Sequence, residues 1–210
     1  MYHPTKKFIF IHPPKCAGTS IREILRKHYG SYHKNIEFEP FYMPLSSEGI
    51  NYQISVHAQL SRFAQFIDDR HGAGFFKRPE WYVFAVIRNP FDRLVSFYHH
   101  IFVNRDNKLT FDEWVCKQLK QDDFALNRTY QSMFHYNNEV SIDHFIRQEN
   151  IEQDAKIVFN KLGIRDFILP HVKHNTNREE YEYRKYYNDE TKEIVSKLFE
   201  WDINYFGYKF

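Results

Sequence analysis

Phe8-Ile9-Phe10-Ile11-His12-Pro13-Pro14-Lys15-Cys16-Ala17-Gly18-Thr19-Ser20-Ile21 decides the fold of this chain. Lys7 to His12 is an unbroken apolar run of β-branched and aromatic residues, the form a strand takes when a parallel sheet buries both its faces. Pro13 to Ser20 reads as a turn, with Thr19 or Ser20 placed to cap a helix. Ile21, Ile24, Leu25 and His28 then keep the i, i+3, i+4, i+7 spacing of one helical face, and Gly30 offers a stop. Strand, tight loop and helix in that order open an α/β unit.

Working outward, residues 31–51 show no clear period and contain the turn markers Pro40, Pro44 and Gly49. A short strand, Tyr52 to Val56, is expected next, leading through His57 to a helix near Leu60–Ile67. The clearest strand is Trp81 to Ile87, ending at Arg88. Asn89-Pro90 caps and starts the following helix, because proline's missing N–H costs nothing at the first helical position. Phe91, Leu94, Val95, Tyr98 and Phe102 make that helix's apolar stripe. Further helical patterns fall at about 110–121, 151–162 and 188–200, with a short strand at Ile142–Phe145. Strands alternating with helices predict a parallel, layered α/β sheet in a single domain over 1–210.

Composition agrees with one globular domain. The 210 residues are 42% hydrophobic and 27% charged, too apolar for disorder, and aromatic residues supply 19% of the chain. The core must therefore lean on Phe and Tyr. A net charge of +2 gives no general argument for nucleic acid. Its distribution says more: Lys6, Lys7, Lys15, Arg22, Arg26 and Lys27 face Glu23 alone within residues 1–30, so an anion is expected near that end. Two cysteines, Cys16 and Cys116, form no pairing framework, and the opening apolar run is too short for a leader peptide or membrane span. These features predict a cytoplasmic protein without a membrane span. With no secretory route expected, the sequon Asn127-Arg128-Thr129 is read as without meaning.

Against the nucleotide-binding pattern GxxxxGK[ST], Gly18 matches the second glycine and Ser20 the final hydroxyl residue. Thr19 stands in the lysine slot, Pro13 in the first glycine slot, and Lys15 inside the loop. Small residues let backbone N–H groups approach an anion at a helix N-terminus, where the dipole also favours negative charge. A kinase needs its lysine on the β- and γ-phosphates and an acidic residue for Mg²⁺, whereas here the strand that could end in Asp ends in Arg88. The site reads as one for an anion without a metal. Arg88, with its planar fork of donors, and Ser96, two turns into the next helix, offer a second anion subsite at the sheet edge where ligands of open α/β folds bind.

Two stretches carry a family resemblance. Phe10 to Ser20 resembles the 5′-phosphosulfate loop of sulfotransferases, and Val86-Ile87-Arg88-Asn89-Pro90-Phe91-Asp92-Arg93-Leu94-Val95-Ser96 resembles their 3′-phosphate motif, R-x-P-x-x-R-x-x-S. Tyr52 to Phe66, Phe145 to Asp154 with Glu149-Asn150, and the ending Tyr205 to Phe210 are similar to the carbohydrate, or family 2, sulfotransferases. The likeness extends to the heparan sulfate 2-O-sulfotransferase group. The resemblance implies a P-loop-type parallel β-sheet flanked by helices in a three-layer α/β/α arrangement, 3′-phosphoadenosine 5′-phosphosulfate (PAPS) as donor, its desulfated form PAP as product, no metal, and a carbohydrate or glycoconjugate hydroxyl as acceptor. It implies that Lys15, Ala17, Gly18, Thr19 and Ser20 hold the 5′-phosphosulfate and that Arg88 and Ser96 hold the 3′-phosphate.

Transfer of a sulfuryl group requires a cation at the leaving oxygen, a base at the attacking hydroxyl, and alignment of both. Lys15 is the natural cation. His57 in Ser55-Val56-His57-Ala58 is taken as the base, since an imidazole titrating near pH ~6.5 suits proton transfer at neutral pH. His12 is second choice and more naturally braces the loop, while Glu37, Glu39 and Glu48 remain open as bases. His171-Val172-Lys173-His174 has metal-like spacing but no third ligand. Lys173, Asn175 and Thr176 resemble a late segment that folds over the donor. Cys16 reads as a small filler, and Phe41 and Tyr42 could stack on a sugar. A non-catalytic PAP- or PAPS-binding module and a P-loop kinase are the competing readings, and nothing in the sequence sets the oligomeric state.

Overall fold

The computed structural model describes residues 1–29, 57–103, 109–120, 128–170 and 182–210. The chain divides into two compact units, Met1–Ile87 with Ser132–Val172, and Arg88–Gln131 with Lys173–Phe210. The expected strand Tyr52 to Val56, Gly30, Glu37, Glu39, Glu48, Phe41, Tyr42, Asn127 and the 171–176 segment lie outside the described residues.

The first unit is built on a four-stranded sheet in the order β1 (Tyr2–His3), β2 (Phe8–Ile11), β3 (Tyr82–Ile87), β6 (His144–Arg147), flanked by helices. β2, β3 and β6 are parallel, in register from Phe8 opposite Tyr82 and from Phe84 opposite His144, and β1 adds an antiparallel edge. All of β2 and β3 from Val83 to Ile87 are fully buried, as continuous apolar runs in a parallel sheet require. Phenylalanine does much of the filling: Phe10 stacks on Phe84 at 5.1 Å, and Phe8 lies 6.0 Å from the same ring. The aromatic-rich composition is thus spent on the sheet core.

Helix α1 (Gly18–Tyr29) buries Ile21, Ile24 and Leu25 as expected, but it starts earlier than the capping residues suggest. Thr19 and Ser20 lie within its first turn instead of before it, and the left-handed Ala17 immediately precedes the helix. His28, expected on the buried stripe, is exposed in the last turn with Arg26 and Lys27, where cations suit the helix dipole. α2 (Leu60–His71) turns Leu60, Phe63, Ala64, Phe66 and Ile67 inward. The strand expected at Ile142–Phe145 runs two residues later. Asp143 gives its side-chain carboxylate to the Val83 N–H (2.7 Å) and anchors Arg78 (3.1 Å), so regular pairing begins only at His144. β4 (His135–Tyr136) and β5 (Glu139–Val140) form a small hairpin, and α6 (Ile151–Lys161) follows β6.

The second unit begins with α3 (Pro90–Tyr98). Asn89 caps it, its side chain accepting the Phe91 N–H at 3.1 Å, with Pro90 at the first position as expected. Phe91, Leu94 and Val95 pack with Trp114 of α4 (Phe111–Lys120) and Val195 of α7 (Asp189–Leu198) in one apolar cluster. The helical pattern expected across 188–200 breaks at Phe199 (φ −108°, ψ 24°), and α8 (Glu200–Phe206) continues to a left-handed Gly207. Phe199 is fully buried, so the break turns its ring into the cluster. α5 (Tyr130–Phe134) opens in this unit.

Candidate functional site

Between β2 and α1 the backbone is bent by two non-glycine residues in the left-handed region, Lys15 at φ 66° and Ala17 at φ 61°. Residues held there cost of order 1–3 kcal/mol each and cluster where a site requires the shape. Left-handed residues within a turn are one of the backbone devices by which successive N–H groups come to face an anion. The loop leads into the start of α1, whose first turn holds no acidic residue to compensate the helix dipole. Lys15 and Thr19 are half-buried. This loop fits a phosphate or phosphosulfate group. Ser20 is more committed than the sequence implies: it is buried, and its hydroxyl donates to the Pro170 carbonyl at 3.1 Å. Cys16 is fully buried, its thiol 3.5 Å from the Pro14 carbonyl, in keeping with a filler.

Gly18 is required for space. A Cβ there would lie 2.0 Å from Cδ2 of His12, so the imidazole of His12 rests directly on the start of α1. His12 is 6% exposed and stacks on Phe10 at 5.7 Å with an interplanar angle of 12°. Burial, reinforced by nearby His57, holds its pKa well below the ordinary value, so it is neutral at physiological pH. A neutral, buried ring cannot reach an acceptor hydroxyl in solvent, and its contacts are those of a brace.

His57 is half-buried, with its ring 4.8 Å from that of His12 and edge-on to it. Its Nδ1 lies 2.6 Å from the His12 main-chain carbonyl. A carbonyl only accepts, so Nδ1 carries the proton and the lone pair of the neutral ring resides on Nε2. The tautomer a general base needs is thereby set by the first residue after β2. No signal in the sequence announces this contact between residues 45 positions apart.

In the second unit, Arg88 directly follows β3 in sequence. Its Nε and Nη2 both approach Oδ2 of Asp92 at 2.6 Å, and the two side chains are 13% and 17% exposed. Ser96 is half-buried two turns into α3. Arg93, which also belongs to the R-x-P-x-x-R-x-x-S spacing, is 3% exposed, its guanidinium 4.9 Å from the ring centre of Tyr130. Tyr130 and Asp202, both fully buried, are absent from any sequence-level reading of the site. Among the described residues no group of three His, Cys, Asp or Glu is placed to hold a metal, and no helix is long and apolar enough to cross a membrane.

A parallel sheet whose inner strand runs through a tight loop into a helix N-terminus defines an α/β protein with a central sheet flanked by helices. The Sulfotransferase family model matches residues 1–209, and the chain belongs to that family. A sulfotransferase from Alicyclobacillus acidocaldarius is similar in fold, with a TM-score of 0.50 and 17% sequence identity over 94% of this chain and 92% of that one. A search of the curated proteins finds no match. Family and fold together support sulfuryl transfer.

Proposed function

We propose that this chain, one sulfotransferase domain over 1–210, moves the sulfuryl group of PAPS to a hydroxyl of a carbohydrate or glycoconjugate by metal-independent in-line displacement. The observation that carries the reading is the hydrogen bond from His57 Nδ1 to the His12 carbonyl (2.6 Å) in the unit that holds the phosphate loop. It leaves Nε2 as the acceptor that an attacking hydroxyl needs. The acceptor oxygen bonds to sulfur as the bridging S–O bond breaks; His57 Nε2 takes the hydroxyl proton and Lys15 balances the charge on the departing PAP oxygen. Backbone N–H groups at Ala17, Gly18 and Thr19, with the Thr19 and Ser20 hydroxyls, hold the 5′-phosphosulfate, Ser20 by releasing Pro170. Arg88 and Ser96 hold the 3′-phosphate. The acceptor class rests on the resemblance to carbohydrate sulfotransferases of the heparan sulfate 2-O type. The thiols of Cys16 and Cys116 support a reducing, cytoplasmic setting.

The test is transfer of labelled sulfate from PAPS to a panel of glycans, beside calorimetric titration with PAP and with ATP–Mg²⁺. Transfer with wild-type protein and none with His57→Ala, PAP binding being kept by both, is the expected result. PAP binding without transfer to any hydroxyl acceptor would make the chain a non-catalytic binding module, and preference for ATP–Mg²⁺ would make it a kinase. Lys15→Ala should lower kcat about 100-fold or more with PAP affinity little changed, since a preorganised charge at the leaving oxygen is worth several kcal/mol. Arg88→Ala should chiefly weaken donor binding.

A further inference from the structure

Arg88 stands where β3 has ended, so its main-chain groups no longer have a regular strand position to pair them. One side chain takes both. The Tyr130 hydroxyl donates to the Arg88 carbonyl at 2.7 Å and accepts from the Arg88 N–H at 2.9 Å. We propose that Tyr130 is a positioning residue that fixes the backbone of Arg88 and thereby sets the selectivity of the site for a nucleotide bearing a 3′-phosphate. The inference rests on the assignment of Arg88 to the 3′-phosphate made above.

Tyr130 is itself held on several sides. Asp202, fully buried on α8, accepts the backbone N–H of Tyr130 at 2.7 Å and of Gln131 at 3.0 Å, capping the start of α5. The Arg93 guanidinium covers one part of the ring at 4.9 Å, and Phe206 meets it edge-on at 5.6 Å. Burial raises the pKa of Asp202, and the backbone N–H groups of Tyr130 and Gln131, followed by the Arg93 charge, oppose that rise only in part. A hydroxyl on so constrained a ring has little freedom to follow Arg88; Arg88 must follow it. Asp92 completes the arrangement by fixing the guanidinium end while Tyr130 fixes the backbone end. Both arginines of the R-x-P-x-x-R-x-x-S spacing therefore meet the same tyrosine, Arg88 through its main chain and Arg93 through the ring.

PAP and AMP differ by the 3′-phosphate, so the ratio of their affinities reads Arg88 directly. In wild-type protein PAP should bind much more tightly than AMP, and Arg88→Ala should collapse that ratio. Tyr130→Phe should weaken PAP about 3- to 10-fold, the usual net worth of one or two hydrogen bonds, and leave AMP within about twofold. In the Arg88→Ala background Tyr130→Phe should have no further effect on PAP. Equal losses for PAP and AMP, additive losses in the double variant, or an unchanged ratio in Tyr130→Phe would each overturn the inference while leaving Arg88 in its role. An unchanged ratio in Arg88→Ala would instead remove the Arg88 assignment and this inference with it. Should Tyr130→Phe fail to fold, Asp202→Asn carries the same test: a lowered PAP-to-AMP ratio is expected, and an unchanged one overturns the inference.

Discussion

Replacing Gly18 with alanine sets two effects of opposite sign against each other. In a helix the change ordinarily stabilises by up to ~1 kcal/mol, because alanine gives up less backbone entropy than glycine. Here the new methyl would lie 2.0 Å from Cδ2, 2.3 Å from Nε2 and 2.6 Å from Cγ of His12. Carbon atoms in contact rest about 3.5–4.0 Å apart, so the ring or the start of α1 must move by roughly 1.5 Å. His12 has little room to yield, since it is 6% exposed, stacked on Phe10 and edge-on to His57. Forcing a methyl into so tight a place costs about 1–3 kcal/mol. The net loss should be about 1–2 kcal/mol, a fall in Tm of roughly 2–8 °C for a chain of this size. Thermal unfolding of Gly18→Ala, His12→Ala and the double variant separates the two effects. Once His12 is alanine the obstacle is gone, and Gly18→Ala should turn neutral or stabilising, a coupling of about 2 kcal/mol. A rise in Tm for Gly18→Ala in the wild-type background, or the same shift in both backgrounds, would refute the contact as the reason for glycine.

Two further outcomes follow from other residues. His12 has a pKa depressed by burial, so the unfolded chain binds a proton that the folded chain refuses. Its contribution is intact above pH ~6.5 and is lost as pH falls from there toward the lower folded value; the slope of the urea midpoint between pH 7.5 and 5 should be shallower in His12→Phe, and an equal slope would refute it. Asn89→Ala removes the cap of α3 and the 2.8 Å donation to the Lys209 carbonyl, and should cost about 1 kcal/mol, read as a Tm lower by roughly 2–4 °C; no change would refute the cap.

Elements whose signal is local were legible in the sequence. β2 and β3 could be read because burial on both faces leaves no polar residue to interrupt them, and α3 because Asn89 and Pro90 mark its start within two residues. What failed was set by distance along the chain. Asp143 delays β6 because its carboxylate is drawn to a backbone N–H 60 residues away. Phe199 breaks a continuous helical pattern because its ring belongs to a cluster with Phe91 and Trp114. The same holds for the site. The loop and the arginine motif proposed for the donor are contiguous and could be proposed from sequence alone, while their supports are not: the His12 carbonyl that orients His57 lies 45 residues from it, and Asp202 lies 72 from Tyr130.

The two histidines of the first unit work only as an unequal pair. On the proposed reading His57 must accept a proton in each turnover, and the imidazolium so formed would be opposed by a second positive ring 4.8 Å away. Burial removes that opposition in advance by keeping His12 neutral, and the main-chain carbonyl of the same residue gains strength as a partner once the Nδ1–H belongs to a cation. His12 thus serves His57 through its backbone and the phosphate loop through its ring, and neither service calls for a titrating side chain. On that reading a cationic residue at position 12 would raise the cost of charging the base. On the same reading Lys15, carried on the loop itself, would supply the charge that receives the leaving group, a task separate from that of the histidine that receives the proton.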